Sequence, residues 1–315
     1  MSASGSSLKG DRYFQVTSIS IPLAAPIRHD LALRYFNRSP DEILDLVRDE
    51  RHYRVLPSAP DPLLIEVSAP REQLNGASLI ARVLAGVGDE EAIRAAVLRL
   101  YQPSPNGVAH VHDEPLAVKV TENFKGLPVL QTLTPWEALV WAILGQQITI
   151  GFAYRLKRAF TEQFGERLIH DGQAYYAFPT PERVAELDHE RDLRPLQFSR
   201  QKSRYIIEAA RSVLTGELDF SEIAMLDDAA ASAALQRQLG VGRWTAEYVL
   251  LRGFGRLDVI PAGDVALRMI VGKYLELGRH ASEDEVRELA ERWRPRRGEI
   301  GFMLWFAKQS GWFRK

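Results

Sequence analysis

Residues 239–268 read LGVGRWTAEYVLLRGFGRLDVIPAGDVALR, and they predict two helices joined by a tight turn. The turn is Gly240-Val241-Gly242, where glycine lets the backbone come close to another molecule. Amides at the start of the following helix lack intrahelical acceptors, so they are free to bind an anion such as a phosphate. On pattern alone, however, Gly-x-Gly is more often an ordinary helix–helix turn. The stretch therefore predicts the local fold and leaves the role of the turn open.

Outward from this stretch, residues 119–315 show helical patterns with clear start signals. Thr134-Pro135 combines an N-cap with a proline suited to the first turn, and Glu137 is placed for a capping box. Similar signals, which predict three more helices, stand at Thr180-Pro181, at Ser199 and at the Ser282/Glu285 pair. We therefore predict an all-helical part over residues 119–315.

Residues 13–118 have a different pattern, which predicts a small α/β domain with an antiparallel sheet. The runs that predict strands are residues 13–20, 62–68 and 108–112, and the apolar spacing predicts helices at residues 43–50 and 77–86. Residues 1–12 are rich in Ser and Gly and are expected to be a disordered leader. The predicted fold class is α+β and mostly α.

The composition excludes several classes of protein. With 46% hydrophobic and 26% charged residues, the chain is in the globular range, and its 315 residues suffice for two domains. The lack of cysteine excludes disulfides, thiolate metal sites and cysteine nucleophiles. No apolar run is long enough for a membrane span, so we expect a cytoplasmic protein without a membrane partner. His110, His112 and Asp113 are interpreted as exposed strand residues and not as metal ligands.

The segment 239–268 resembles the helix-hairpin-helix and Gly/Pro-Asp signature of DNA base-excision glycosylases, most of all that of the alkylation-repair members. The resemblance continues in residues 136–168, 176–188 and 291–312, in the same order along the chain. The N-terminal part matches these proteins in position, size and α/β character. The resemblance implies a two-lobed helical core with a cleft for a base that is flipped out of duplex DNA.

The resemblance also implies how the hairpin binds DNA. It gives DNA-binding roles to residues of the turn and of the helix after it: Gly240, Val241, Gly242, Arg243 and Thr245. It implies a structural monovalent cation, sodium or potassium, on the backbone carbonyls of Gln236, Gln238 and Val241, and no required cofactor. The basic segments 199–204 and 292–297 are interpreted as solvated faces, which become candidates for phosphate contacts beside DNA.

Asp264 precedes the apolar pattern VALRMI, where position alone favours a helix N-cap. The resemblance places it on the catalytic aspartate of the family, and the two roles are compatible. Removal of a base leaves oxocarbenium character on the deoxyribose, which an ionised carboxylate stabilises. Bifunctional relatives carry a lysine two residues after the second hairpin glycine, where its amine forms a Schiff base. Trp244 occupies that position, so the resemblance implies a monofunctional enzyme without lyase activity.

An aromatic pocket for the flipped base is implied as well. Trp244 and Tyr248 are four residues apart and share one helical face, and Tyr35 of the N-terminal domain is a further candidate wall. Such rings attract a cationic alkylated purine, although plain core packing is the alternative for this pair. Gln147 matches the residue that fills the gap left in the duplex, with a polar helix end as its alternative.

One departure from the family concerns the second pocket tryptophan, which matches Ala307, while Trp305 is expected to face elsewhere. The predicted function is a monofunctional, monomeric and nucleoid-associated glycosylase that excises 3-methyladenine, 7-methylguanine and related purines from double-stranded DNA in base excision repair. Two alternatives stay open at this stage. One is a glycosylase for deaminated or oxidised bases such as hypoxanthine or 8-oxoguanine, and the other is a non-catalytic damage-binding protein.

Overall fold

The computed structural model describes residues 18–57, 61–70, 77–103 and 114–314. Five antiparallel strands form a sheet in the order β1-β5-β4-β3-β2. These strands are β1 (Ser18–Pro22), β2 (Leu46–Arg48), β3 (Arg51–Leu56), β4 (Leu63–Ser68) and β5 (Ser78–Ala85). The elements that accompany the sheet are α1 (His29–Phe36), α2 (Glu90–Leu100), α3 (Pro115–Asn123) and the paired short strands β6 (Tyr101–Gln102) and β7 (Val129–Leu130). The predicted antiparallel sheet in the N-terminal part is confirmed.

Helices dominate the rest of the described chain. They are α4 (Pro135–Gly145), α5 (Ile150–Phe164), α6 (Pro181–Ala185), α7 (Arg200–Thr215), α8 (Phe220–Met225), α9 (Asp228–Gln236), α10 (Arg243–Phe254), α11 (Val265–Tyr274), α12 (Glu283–Glu291) and α13 (Arg297–Gln309). Short helical turns lie at His189–Leu193, Arg194–Leu196 and Trp312–Arg314. The predicted α+β class, mostly α, is confirmed. None of the described helices is both long and apolar enough to cross a membrane.

Besides β7, the part over residues 119–315, which the sequence predicted to be all-helical, is interrupted by one β-hairpin. It consists of β8 (Arg167–His170) and β9 (Gln173–Tyr176), which pair antiparallel. The turn between them is Asp171-Gly172, and both residues have left-handed φ angles, 48° and 74°. A two-residue hairpin turn requires this backbone, and Asp-Gly is a typical sequence for it.

Two segments that were predicted to be helical are strands. Residues 43–50 contain β2 and a turn, because Asp49 and Glu50 have left-handed φ angles of 47° and 58° that an α-helix does not contain. Residues 77–86 form β5, which pairs with β1 on one side and with β4 on the other. Such an interior strand carries apolar residues on both faces, so its sequence lacks the simple alternation that distinguishes a strand from a helix.

The remaining N-terminal predictions divide into two groups. The strand predicted at residues 62–68 is confirmed as β4, and β1 begins within the strand predicted at residues 13–20. The predictions that lie outside the described residues are the leader at 1–12, the start of the first strand, the strand at 108–112, and His110, His112 and Asp113. The domain boundary after residue 118 stays a prediction.

The predicted helix starts are confirmed. The N-cap side chains that accept a hydrogen bond from the first turn of α4, α6 and α7 are those of Thr134, Thr180 and Ser199. Ser282 and Glu285 form a complete capping box at α12. At α4 the box is incomplete, because the Glu137 carboxylate accepts a hydrogen bond from Arg54 of the sheet.

Two hydrophobic cores meet at α10. One core combines the sheet and α1 to α3 with α11 to α13, and the other lies among α4 to α9. Helix α10 contributes Tyr248 and Leu251 to the first core, and Ala246, Val249 and Leu250 to the second. The segment 239–268 therefore runs from one lobe into the other, which places its turn and Asp264 at their junction.

Buried ion pairs also hold the N-terminal part against α4 and α5. Lys157 Nζ of α5 lies 2.6 and 2.7 Å from the two carboxylate oxygens of Glu42, and these side chains are 7% and 5% exposed. Arg54 of β3 pairs with Glu137 of α4, and it also lies 3.2 Å from Asp45 Oδ1. Removing one partner of a buried pair leaves an uncompensated charge, so these contacts fix the arrangement of the two parts.

Candidate active site

The turn between α9 and α10 has the geometry that its glycines predict. Gly240 has a left-handed φ of 80°, and a Cβ at this position would lie 2.2 Å from a ring atom of Tyr205. Gly242 is the N-cap residue of α10, and a Cβ there would meet no atom within 4 Å. Gly240 is therefore required by packing and backbone conformation, whereas Gly242 leaves open space before the first amides of α10. An anion can approach those amides.

The two residues that were predicted to extend this binding surface lie in different surroundings. The Arg243 side chain is 56% exposed, and it lies 3.2 Å from a carboxylate oxygen of Glu247. Thr245 is 2% exposed, and its hydroxyl accepts a hydrogen bond from Gln146 Nε2 over 3.1 Å. Arg243 is thus available at the surface, while the Thr245 side chain stabilises the turn from inside.

A polar connection joins this turn to the loop between α4 and α5. Gln146 Nε2 donates to the carbonyl of Gly240 over 2.9 Å, in addition to its bond with Thr245. Gln147 follows it, with an exposed side chain and a left-handed φ of 57°. The residue predicted to enter the duplex is therefore at the tip of a loop that the turn itself holds in place.

Lys202 of α7 fixes the same loop from the other side. Its ammonium group donates to the last carbonyls of α4 and to that of Gln146, over 2.6 to 2.9 Å. Partial burial lowers the pKa of Lys202 to about 8. The interpretation of residues 199–204 as a solvated basic face is therefore wrong for Lys202. No local signal distinguishes such a lysine, because its partners come from a different helix.

Asp264 is the N-cap residue of α11, and its carboxylate is held on one side only. Oδ1 accepts hydrogen bonds from the backbone amides of Ala266 (2.8 Å) and Leu267 (3.1 Å). It accepts a third from Trp305 Nε1 over 2.9 Å. Oδ2 accepts none from any residue that the structure describes, and the side chain is partly exposed. The N-cap role is confirmed, and one oxygen remains free for a ligand.

Three aromatic rings form a row that ends at Asp264. The ring centroids of Trp244 and Tyr248 are 5.8 Å apart, and those of Tyr248 and Trp305 are 6.0 Å apart. The expectation that Trp305 faces elsewhere is wrong, because α13 packs with this side chain towards α10 and α11. Ala307 is fully buried in the core instead. Trp244, Tyr248 and Trp305 are called the aromatic row below. The tryptophan that α13 contributes to this row is thus at position 305, and not at position 307, where the resemblance placed it.

A buried arginine, Arg252, connects Tyr35 to the aromatic row by hydrogen bonds. The ring centroid of Tyr35 lies 4.9 Å from that of Phe302, and the Tyr35 hydroxyl accepts a hydrogen bond from Arg252. Arg252 also donates to the Tyr248 hydroxyl over 3.4 Å. Burial raises the pKa of Tyr248 to about 12, although the nearby charge of Arg252 opposes this. Sequence reasoning missed Arg252, whose signal is a single charge in the apolar run YVLLRGF.

The backbone carbonyl groups around the turn are chemically suited to the predicted monovalent cation. Gln236 is the last residue of α9, and carbonyls at a helix end lack intrahelical donors. The carbonyl of Gln238 accepts a hydrogen bond from the amide of Val241 over 3.1 Å. Carbonyl oxygens of this kind are hard donors that suit sodium or potassium. Among the described residues there is no cluster of His, Cys, Asp or Glu that would hold a metal ion.

Comparison with known families identifies the segment that carries these features. Residues 140–295, which contain the turn, the loop of Gln147 and Asp264, match the family described as HhH-GPD superfamily base excision DNA repair protein. Residues 140–295 are thus an HhH-GPD segment of the chain. The turn between α9 and α10 is its helix-hairpin-helix element, called the hairpin below.

Individual relatives share part of the chain's length. The DNA-3-methyladenine glycosylase of Bacillus subtilis (strain 168) is 35% identical over 192 residues, 61% of this chain and 63% of that protein. The DNA-3-methyladenine glycosylase 2 of Escherichia coli (strain K12) is 30% identical over 187 residues, 59% and 62% of the two chains. The matches thus span less than two thirds of either relative.

A solved structure shows a closely similar fold. The 3-methyladenine DNA-glycosylase from Archaeoglobus fulgidus superposes with a TM-score of 0.79 at 23% identity, and the match covers 93% of this chain and 98% of that chain. The N-terminal part is therefore included in the shared fold, and not only the HhH-GPD segment.

Proposed function

We propose that this protein is a DNA glycosylase that removes alkylated purines, such as 3-methyladenine and 7-methylguanine, from double-stranded DNA in base excision repair. The observation that carries the proposal is the placement of Asp264. Its Oδ1 accepts a hydrogen bond from Trp305, the last ring of the aromatic row, and its Oδ2 is free. The names of the Bacillus subtilis and Escherichia coli relatives support this substrate class.

In the proposed reaction, the aromatic row stacks on a purine that has left the duplex. Alkylation at N3 of adenine or at N7 of guanine makes the base cationic, and aromatic ring faces attract a cation. Cleavage of the N-glycosidic bond releases a neutral base and leaves the positive charge on the deoxyribose. Asp264 Oδ2 stabilises this charge and orients a water, which adds its hydroxyl to C1′ and loses a proton. The three donors on Oδ1 hold the carboxylate in place.

The position of Trp244 supports a monofunctional enzyme. A lyase of this family needs an amine at this position to form a Schiff base with the sugar. The indole of Trp244 is not nucleophilic in this way, so the product is an intact abasic site. Borohydride reduction during turnover tests this point. A trapped covalent complex between protein and DNA would contradict it.

DNA binding is assigned to the surface that contains the hairpin. The amides after Gly242 bind a phosphate, and Gln147 enters the duplex to occupy the space of the flipped nucleotide. We assign a monovalent cation to the carbonyls of Gln236, Gln238 and Val241, where it would add positive charge beside that phosphate. The protein is proposed to act on DNA as a monomer.

The decisive experiment uses DNA treated with dimethyl sulfate. Wild-type protein is expected to release 3-methyladenine and 7-methylguanine, identified by chromatography, without strand breaks. The Asp264→Asn variant is expected to bind the same DNA and release neither base. If the wild type binds damaged duplex but releases no base, hypoxanthine and 8-oxoguanine duplexes decide between another lesion and a damage-binding protein.

A further inference from the structure

A cavity of about 410 Å³ lies between the N-terminal part and the helical part, apart from the hairpin. Its walls come from α1, from the start of α5 and from the end of α13. The lining residues that matter here are Arg34, Arg38, Ile150, Gly151, Tyr154 and Phe306. The cavity therefore joins elements that are distant in sequence.

The charged side chains that line this cavity are positive. The Arg34 guanidinium lies 5.5 Å from the ring centroid of Phe306, and that of Arg38 lies 3.7 Å from the ring centroid of Tyr35. Within the described part of the chain, neither arginine forms an ion pair with a carboxylate, and no acidic residue lines the cavity. Two unpaired guanidinium groups on one cavity favour an anionic ligand.

One buried polar atom in the wall also lacks a partner. Tyr154 is 2% exposed, and its hydroxyl forms no hydrogen bond with any described residue. A buried hydroxyl without a partner costs free energy unless a ligand or water satisfies it. The ring centroid of Tyr154 lies 5.3 Å from the Arg38 guanidinium, so these two side chains share one wall of the cavity.

The cavity lies between the two elements that would handle the flipped nucleotide. Ile150 and Gly151 begin α5, directly after the loop that carries Gln147 at its tip. On the other side, Phe306 follows Trp305, which bonds to Asp264. The cavity lining therefore includes residues that adjoin, in sequence, both the Gln147 loop and Trp305.

We propose that this cavity binds a phosphodiester group of DNA, the one adjacent to the flipped nucleotide on the damaged strand, through Arg34 and Arg38. The inference rests on the proposed function and adds a DNA contact from the N-terminal part. A phosphodiester carries one negative charge on two non-bridging oxygens, so each guanidinium group has an oxygen to bind, whereas a cationic alkylated base would be repelled by both groups. The hairpin binds one phosphate on the strand, and this cavity binds another.

The test combines arginine variants with neutral backbone groups in a duplex that contains a tetrahydrofuran abasic analogue. Replacing the phosphate next to the analogue with methylphosphonate is expected to weaken wild-type binding about tenfold, as for loss of one charge-assisted contact. In the Arg34→Gln/Arg38→Gln variant, the same replacement is expected to have no further effect. A methylphosphonate at the hairpin phosphate must still weaken binding of this variant.

Two control variants accompany the test. Arg34 is exposed, so Arg34→Gln alone is expected to fold normally and to lower the salt slope of binding by about one. Arg211→Gln, on the exposed face of α7, is expected to bind like the wild type. Full methylphosphonate sensitivity in the double variant would overturn this inference. Failure of the wild type to excise any alkylated base would instead overturn the proposed function.

Discussion

Trp305 Nε1 donates a hydrogen bond to Asp264 Oδ1 over 2.9 Å, which links the middle of α13 to the start of α11. The backbone amides at the start of α11 bind the same oxygen. All three donors therefore act on one side of the carboxylate and fix its plane. The position of Oδ2 depends on this arrangement, because rotation of the side chain would break three hydrogen bonds.

Trp305→Phe is expected to slow base excision by about tenfold, because one charge-assisted hydrogen bond on Asp264 is lost. Single-turnover rates on alkylated duplex measure the effect, and DNA affinity is expected to stay unchanged. Trp136→Phe is the matched control, since its indole donates to the carbonyl of Pro179 over 2.9 Å, away from the site. Equal losses of excision rate in the two variants would show that Trp305 acts through stability alone.

Asp264→Asn is expected to lower the excision rate by about 100-fold or more, because a neutral amide does not stabilise the developing positive charge. Asparagine still accepts the amide hydrogen bonds of an N-cap, so the thermal midpoint is expected to change little. Asp227→Asn provides the control, since Asp227 caps α9 in the same way. Comparable activity of the Asp264→Asn and Asp227→Asn variants would exclude a catalytic role for Asp264.

The two glycines of the hairpin are expected to respond differently to alanine. Gly240→Ala should destabilise the protein, since its Cβ would overlap the Tyr205 ring in a left-handed conformation. Gly242→Ala should leave the midpoint of urea unfolding unchanged, because its Cβ has free space, and should weaken DNA binding by obstructing the phosphate. Unfolding curves and duplex titrations test both. Unchanged DNA affinity of Gly242→Ala would argue against phosphate binding here.

Gln147→Gly is expected to separate stability from function. A non-glycine residue in a left-handed conformation costs about 1 kcal/mol, so glycine should preserve or raise the free energy of unfolding. Excision should fall, because no side chain fills the duplex. Glu276→Gly is the control, since Glu276 is also exposed and has a φ of 54°. If Gln147→Gly excised bases as fast as Glu276→Gly, the role of Gln147 would be refuted.

His29 is expected to make the protein less stable in mild acid. Burial, followed by the nearby charge of His52, lowers the pKa of His29 to about 4, below the ordinary value of 6.5. The unfolded chain therefore binds this proton first as pH falls, and stability is lost between these two values, by roughly 3 kcal/mol at most. Urea unfolding of His29→Gln should show a weaker dependence on pH in this window. His280→Gln, an exposed control, should behave like the wild type.

The helix starts could be predicted because they depend on neighbouring residues. Thr134, Ser199 and Ser282 each act on an amide within the next turn, and this contact is visible in the sequence. Strand β5 could not be predicted, because its two partner strands, and not its own residues, decide its conformation. The same holds for β2, where the left-handed turn at Asp49 and Glu50 overrides a helical apolar spacing.

The site was predictable to the extent that it lies in one segment. The hairpin and the N-cap position of Asp264 both fall within residues 239–268. Trp305 was misjudged because the direction of its side chain depends on the rotation of α13 against α11, which no local pattern records. Lys202 and Gln146 were missed for a similar reason, since their hydrogen-bond partners belong to other helices.

The buried pairs Glu42–Lys157 and Arg54–Glu137 place each charge and its counter-charge on opposite parts of the molecule. Each part alone would therefore contain buried charges that lack these counter-charges. A recombination event that exchanged the sheet alone between two relatives would join charges that had not been selected together, and would leave one of them buried without a partner. The two parts are thus expected to be inherited together, and substitutions at these four positions are expected to occur in pairs.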